Sequence, residues 1–344
     1  MKRSASIAVF VLGAAILSGC SYLVDEDQSD CGGSLGIGYR LRLVTNERTE
    51  LETVLSEVAD SPVKDALQAH LSGIFTDVAH DVDLSFYDES GGRVLQLQEI
   101  MDKEHFECTP FLPATTILHG CVANVADNGP VTLEGDSEWP HGELVQSSAE
   151  GIADPQRTGL FSARKTFEVR ALEELHEDVD LYIVNSATAL VLETAGAEGI
   201  ELLQVYVTGF ADSFNVADSS WSFTSTPLVR TTELQVAAGT QRCFASVHFP
   251  SRDWPGTRTV TDSQEPFVSD PAPEPLWEWR IYTRIEDGSI IESLLQVSNP
   301  LRAGQLKILK AKLLDNGIVS VTDPTVGVSV TLDWNENGNH DIEF

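Results

Sequence analysis

Residues 277–297 read WEWRIYTRIEDGSIIESLLQV. Two runs of β-favouring residues, Trp277–Ile285 and Ile290–Val297, flank the turn dipeptide Asp287-Gly288, which is the pattern of a β-hairpin. The pattern repeats on both sides. Downstream, Leu306–Leu314 and Ile318–Val321 flank Asn316-Gly317, and Val326, Val328, Val330, Leu332 and Trp334 alternate onto one face of a last strand. Upstream lie β runs at Leu202–Phe210 and Gln241–Phe249, and a pair within Val179–Leu192 around Asn185-Ser186. Asp218-Ser219-Ser220 reads as a turn and Pro250–Pro275 as a Pro-rich loop. Many short strands at regular spacing with Gly, Asp and Pro turns predict β-sandwiches.

The amino-terminal half follows the same logic with one interruption. Leu35–Leu43 alternates as a half-buried strand, and Val82, Leu84 and Phe86 share one face of another. Glu89-Ser90-Gly91-Gly92 turns that strand back into Arg93–Ile100, and Thr116–Val122 is a further strand. Between them, Leu51, Val54, Leu55 and Val58 fall at helical spacing. Asp60-Ser61-Pro62 then restarts a helix carrying Val63, Ala66, Leu67, Leu71 and Ile74. Residues 126–165 read as loops with short strands. The expected fold is all-β, with two tandem β-sandwich domains at residues 35–165 and 166–344 and a short helical insertion in the first.

The first residues have a different character. Lys2 and Arg3 precede the uncharged apolar run Ile7–Ile16, which is followed by Leu17-Ser18-Gly19-Cys20. An apolar run this short is a signal h-region rather than a spanning helix. Small residues before a cysteine suit a signal peptidase, and the thiol is the acceptor for a diacylglyceryl group. The segment resembles a bacterial lipoprotein signal. Residues 1–19 are the expected leader, cleavage falls between Gly19 and Cys20, and lipidation is on Cys20. Residues 20–34 form an acidic tether, with Asp25, Glu26, Asp27 and Asp30 beside the lipid.

Charge narrows the function classes. Twenty-two Lys and Arg stand against 53 Asp and Glu in 344 residues, a formal net charge of -31. Phosphate neutralisation and docking on anionic lipid headgroups both need basic surfaces, so nucleic acid is excluded as a general partner. Acyl chains on Cys20 are then the expected membrane attachment. Beyond Cys20 the cysteines are Cys31, Cys108, Cys121 and Cys243. Their spacing does not suit zinc, and an exported chain permits disulfides whose connectivity sequence leaves open.

Several segments together resemble a known family. Cys31–Asn46 is similar to the opening strand of FimB-like minor fimbrial subunits, members of the fimbrillin superfamily that build the Bacteroidetes-type lipoprotein pilus. Asp83–Asp88 with Gly91-Gly92 resembles that family's hairpin. Gly209–Ser220, GFADSFNVADSS, resembles a further motif, and Asn299–Gly304 and Val326–Trp334 resemble its C-terminal strands. The chain departs at Ala79–Val82, where family members often carry a cysteine, so that disulfide is absent or rewired. The acidic run after Cys20 resembles the surface-export tags of Bacteroidetes lipoproteins, and reads equally as a solvated tether.

The resemblance implies transthyretin-like sandwiches in a lipid-anchored fimbrial accessory subunit that seats or caps a fimbrium at the outer membrane. It implies fimbrial subunits as partners, joined by donor-strand contact. Val326–Trp334 and Leu35–Leu43 are the candidate strands, although each reads first as an ordinary strand of its own sandwich. A processing cut after arginine would detach the lipid and is not expected. The alternative is a surface lipoprotein that binds glycan or host protein through its loops, with Trp254, Trp277 and Trp279 as contacts that core packing explains equally well.

Catalytic patterns are missing from the sequence. His176-Glu177 lacks the second His of HExxH, and there is no GxSxG elbow or P-loop. The eight His are scattered and read as surface or turn residues. Asp333–Asp341 matches the start of a calcium loop, but Phe344 stands where a bidentate Glu is wanted, and the segment reads first as a solvated turn at Asn337-Gly338. No enzyme activity, cofactor or metal is expected.

Overall fold

The structure, a computed structural model, describes residues 34–43, 61–75, 79–100, 105–171, 174–236, 240–253, 275–322 and 328–333. The chain is built from β-sheets arranged as sandwich-like layers, with one described helix. Among the described residues no helix is long and apolar enough to cross a membrane.

The opening hairpin forms as its alternation requires. Trp277–Arg284 and Ile290–Val297 pair antiparallel from Trp277↔Val297 to Arg284↔Ile290. They lie within a six-stranded sheet ordered Ile152–Ala153, Leu228–Arg230, Glu201–Thr208, Trp277–Arg284, Ile290–Val297, Val328–Asp333. Trp277, Trp279, Ile281, Leu295 and Val297 point inward and are buried. They meet Leu190, Leu192, Phe244, Leu309 and Leu313 of a five-stranded sheet ordered Thr232–Leu234, Gln241–His248, Ser186–Glu193, Leu306–Leu313, Val319–Val321. This carboxyl-terminal sandwich holds a core of large apolar side chains, the dominant favourable term in its folding.

The other large sheet has seven strands, ordered Arg93–Ile100, Asp81–Tyr87, Thr116–Ala123, Phe161–Glu168, His176–Ile183, Gly38–Leu43, His105–Cys108. One face carries Leu41, Leu84, Phe86, Cys121, Phe161 and Leu181, all buried. Part of the opposite face, at Val122, packs against Val131, Leu144, Phe214 and Val216 of a four-stranded sheet. That smaller sheet pairs Val131–Glu134 and Glu143–Gln146 with Ser213–Asn215 and Trp221–Ser222, so it draws strands from both halves of the chain.

The expected change of domain between residues 165 and 166 falls inside the strand Phe161–Glu168, which pairs along its whole length with Thr116–Ala123. His176–Ile183 also joins the seven-stranded sheet, and the next strand, Ser186–Glu193, belongs to the five-stranded one. Residues 126–165 hold the short strands Val131–Glu134, Glu143–Gln146 and Ile152–Ala153 between loops, and end inside the longer strand Phe161–Glu168. Phe161, Ala163 and Phe167 face the core, and the intervening Lys165 is neutralised by Glu177 at 2.6 Å.

The described helix is Ser61–Phe75, with Pro62 in its first turn, where the missing N–H costs nothing. Residues 44–60, including the expected first helical run, lie outside the described residues. Val63, Leu67, Leu71 and Ile74 form one buried stripe. This stripe belongs to a single core with Leu84 and Phe86 of the seven-stranded sheet and with Ala187, Ala189, Cys243 and Ala245 of the five-stranded sheet. The helix thus cements the two sandwiches instead of decorating the first.

Candidate strand-exchange interface

The last described strand, Val328–Asp333, occupies an edge. It pairs antiparallel with Ile290–Val297, from Val297↔Val328 to Glu292↔Asp333, and no other described strand flanks it. It is an intramolecular strand that caps the six-stranded sheet. Were it to leave, the backbone of Ile290–Val297 would present an unpaired edge above the apolar layer of Leu295 and Val297. An extended strand of another subunit is the chemical complement of such an edge, supplying main-chain hydrogen bonds and alternate side chains.

The first candidate strand is placed differently. It divides at Ile37: Ser34–Gly36 pairs with Phe111–Pro113, and Gly38–Leu43 lies between His176–Ile183 and His105–Cys108. The inner strand is parallel to His176–Ile183 and closely seated, since a Cβ at Gly38 would come 2.5 Å from the His176 ring. Tyr39, 2% exposed, donates from its hydroxyl to His119 Nε2 at 2.7 Å, and Leu41 is fully buried. Gly38–Leu43 is therefore an interior structural strand of its sheet, and Ser34–Gly36 pairs separately.

His119 is one of two histidines that correct the expectation of surface or turn positions. His119 is fully buried, stacked on Phe86 with ring centroids 4.4 Å apart, and its Nδ1 donates to the Ser85 carbonyl at 3.0 Å. His248 repeats the arrangement in the other sandwich. Its ring stacks on Phe210 at 3.5 Å, Nδ1 donates to the Phe249 carbonyl at 2.8 Å, and Nε2 accepts from the Thr188 hydroxyl at 3.1 Å. Each ring has one donating and one accepting nitrogen, so each is neutral. Burial pushes His119 down to about 4 and His248 down to about 3. The period of two does carry the signal: His119 shares a face with Ile117 and Cys121, and His248 shares one with Phe244.

The stretch Gly209–Ser220 makes up a structural corner. Gly209 has φ +98°, and a Cβ there would lie 2.5 Å from the Leu276 carbonyl. Phe210 packs against Trp277, and Asp212 accepts from the Ser225 hydroxyl at 2.9 Å. The Asn215 side chain accepts from Ala217 N and donates to the Pro140 carbonyl. Val216 covers Gly120, where a Cβ would come within 3.1 Å of its side chain. These residues tie the four-stranded sheet to both sandwiches.

Trp277 and Trp279 are 2% and 0% exposed, so neither is a loop contact, and Trp254 lies outside the described residues. Trp277 Nε1 donates to the Asn299 carbonyl at 2.9 Å. Cys108, Cys121 and Cys243 carry free thiols. Burial pushes Cys108 up to about 11, Cys243 up to about 12 and Cys121 well above its ordinary value, so all three are inert at neutral pH. Cys31, the leader, the lipidation residue Cys20, the acidic tether and all of the calcium-like segment after Asp333 lie outside the described residues. Among the described residues no group of His, Cys, Asp and Glu is arranged to hold a metal.

No family model matches the sequence, and no curated protein matches it. Solved structures do share its fold. An adhesin candidate from Bacteroides ovatus ATCC 8483 is 12% identical, with 82% of this chain and 88% of that one covered at a TM-score of 0.51. Candidate polysaccharide-binding proteins from Bacteroides thetaiotaomicron VPI-5482 are 9% identical over 84% and 99% of the two chains, at 0.50. The fimbrial anchor protein Mfa2 from Porphyromonas gingivalis is 8% identical over 87% and 99%, at 0.47. At identities this low, the matches at 0.51 and 0.50 establish likeness of fold alone, over most of the chain.

Proposed function

We propose that this protein is a lipid-anchored accessory subunit of a fimbrium, seating or capping the fibre at the outer membrane and joined to its neighbour by β-strand exchange. The observation that carries the reading is the edge position of Val328–Asp333, held on one side by Ile290–Val297. A strand so placed can be replaced by an equivalent strand without disturbing the sheet behind it. The interior position of Gly38–Leu43 supports the other half of the reading. The strand that follows the tether is locked into its own sheet, so the lipid on Cys20 stays coupled to the folded protein. The fold shared with adhesin candidates agrees with a structural role at the cell surface.

Expression with candidate stalk subunits tests the reading. A detergent-stable complex is expected to purify with the membrane fraction. The Cys20→Ala chain is expected to carry the same subunit into the soluble fraction. Membrane retention of the Cys20→Ala chain would overturn the lipid anchor, and failure of every neighbouring subunit to co-purify would overturn the fimbrial role.

A further inference from the structure

We propose that an open cavity on the outer face of the seven-stranded sheet is a binding site for a neutral glycan. The inference goes beyond strand exchange, because no residue of the six-stranded sheet lines this cavity.

Strand alternation places polar residues on this face. Val82, Leu84 and Phe86 turn into the core, so Asp81, Asp83 and Ser85 turn outward. In the register with Arg93–Ile100, Asp81 stands opposite Ile100, Asp83 opposite Gln98 and Ser85 opposite Gln96. Asp81, Asp83, Gln96, Gln98 and Ile100 line one side of a cavity of about 630 Å³. Val125, Leu133 and Asp136 line the other. Small-molecule sites usually measure about 300–1,000 Å³.

The polar groups hold one another in place. Gln96 Nε2 donates to Asp83 Oδ2 at 2.7 Å and to Asp136 Oδ2 at 3.1 Å. Gln98 Nε2 donates to Asp83 Oδ2 at 2.9 Å, and Arg93 Nη1 donates to Asp136 Oδ2 at 2.7 Å. An ionised carboxylate only accepts, so both carboxamides are fixed with their nitrogens on the acids. Their oxygens accept no hydrogen bond among the described residues. Asp81 Oδ1 is buried and also lacks a partner among the described residues. Arg93 gives only Nη1 to the network, so its other N–H groups remain as donors. Free acceptors and free donors therefore stand side by side, already ordered, and binding loses little side-chain freedom.

The class of occupant follows from this mixture. A hydroxyl both donates and accepts, and so uses both kinds of group. An ammonium only donates, and would leave the Arg93 donors unused while being repelled by that charge. An anion only accepts, and would meet Asp81, Asp83, Glu99 and Asp136. Ile100, 65% exposed, joins Val125 and Leu133 as an aliphatic patch in the same cavity. Such a patch suits the C–H face of a sugar ring. A neutral glycan answers the carboxamides, the carboxylates and the aliphatic patch together.

An array of neutral, amino-bearing and anionic oligosaccharides, probed with the full chain kept soluble by Cys20→Ala, reads the class of ligand. Binding to neutral glycans is expected. A neutral trisaccharide bound on the array is then titrated by calorimetry. Gln98→Ala leaves Asp83 held by Gln96 and is expected to weaken binding about fivefold, as for one lost hydrogen bond. Ile100→Ser is expected to weaken it by a similar factor. Both side chains are exposed, so both variants should keep the wild-type Tm. Tyr182→Ala, which removes an exposed ring elsewhere on the same sheet, should leave the affinity unchanged. Equal affinity for the free trisaccharide and for a polysaccharide built from it would support a soluble sugar as the source, and tighter binding of the polymer would support a surface polysaccharide. Binding of no neutral glycan, preference for the anionic or amino-bearing set, or unchanged affinity in Gln98→Ala would overturn the proposal. Gln98→Ala is expected to leave stalk co-purification intact, which separates failure here from failure of the strand-exchange reading.

Discussion

The Tyr39 hydroxyl donates to His119 Nε2 at 2.7 Å, joining the first strand of the folded chain to the middle of the seven-stranded sheet. The pair is buried, edge-to-face at 5.3 Å, and the imidazole is held from its other side by the Ser85 carbonyl. Tyr39→Phe keeps the ring and removes the donor. It is expected to cost about 1–3 kcal/mol, because His119 Nε2 is left buried without its partner. Urea denaturation checks this, and an unchanged midpoint would contradict it.

Acid should weaken both sandwiches. His119 and His248 have folded values near 4 and 3, below the ordinary 6.5, so the unfolded chain takes up protons first as pH falls. Their contribution is fully present above about pH 6.5 and is lost downward, until each ring protonates in the folded state near 4 or 3. At about 1.4 kcal/mol per pH unit, each histidine withdraws on the order of 3–5 kcal/mol across its window. Denaturation midpoints from pH 7 to pH 4 test the slope, and His119→Gln should make it shallower by one proton.

Two glycines separate backbone strain from collision. Gly209 and Gly288 both have positive φ, +98° and +88°. A Cβ at Gly288 meets nothing within 4 Å among the described residues, whereas one at Gly209 would lie 2.5 Å from the Leu276 carbonyl and 2.6 Å from Trp277 Cα. Gly288→Ala is expected to cost about 1 kcal/mol. Gly209→Ala should cost at least about 2 kcal/mol more, since backbone must move. Equal losses of Tm would show that the corner is softer than its geometry.

The paired tryptophans should respond unequally. Trp277 Nε1 donates to the Asn299 carbonyl, while the buried Trp279 Nε1 has no partner among the described residues. Both changes to Phe lose packing. Trp277→Phe also gives up a hydrogen bond worth about 1 kcal/mol, and Trp279→Phe removes a buried unpaired donor. The larger drop in Tm is expected for Trp277→Phe.

Local pattern carried much of this structure. The hairpin at 277–297 and the helical stripe from Val63 to Ile74 could be read from periodicity, because each buries one face, and the last strand could be read from its alternation. Pairing between distant segments could not. Nothing in residues 131–146 announces that they will share a sheet with 213–222, and Arg164-Lys165 hid the core-facing strand Phe161–Glu168 from a reading based on apolar alternation. His119 and His248 were hidden by their chemistry: a polar side chain satisfied on both nitrogens behaves as a core residue. For the candidate interface, the sequence identified the last strand, but its edge position comes from the sheet order.

The central claim is strand exchange through Val328–Asp333, and a truncation tests it most directly. Membranes would be solubilised from cells that express either the full chain or a chain ending at Thr322, each with its stalk subunits. Gel mobility without boiling then reads the complex. Because truncation opens the Ile290–Val297 edge to the neighbour's strand, a detergent-stable complex is predicted with the truncated chain in at least the amount seen with the full one. Loss of the complex on truncation, with the truncated chain still folded in the membrane, would contradict the claim.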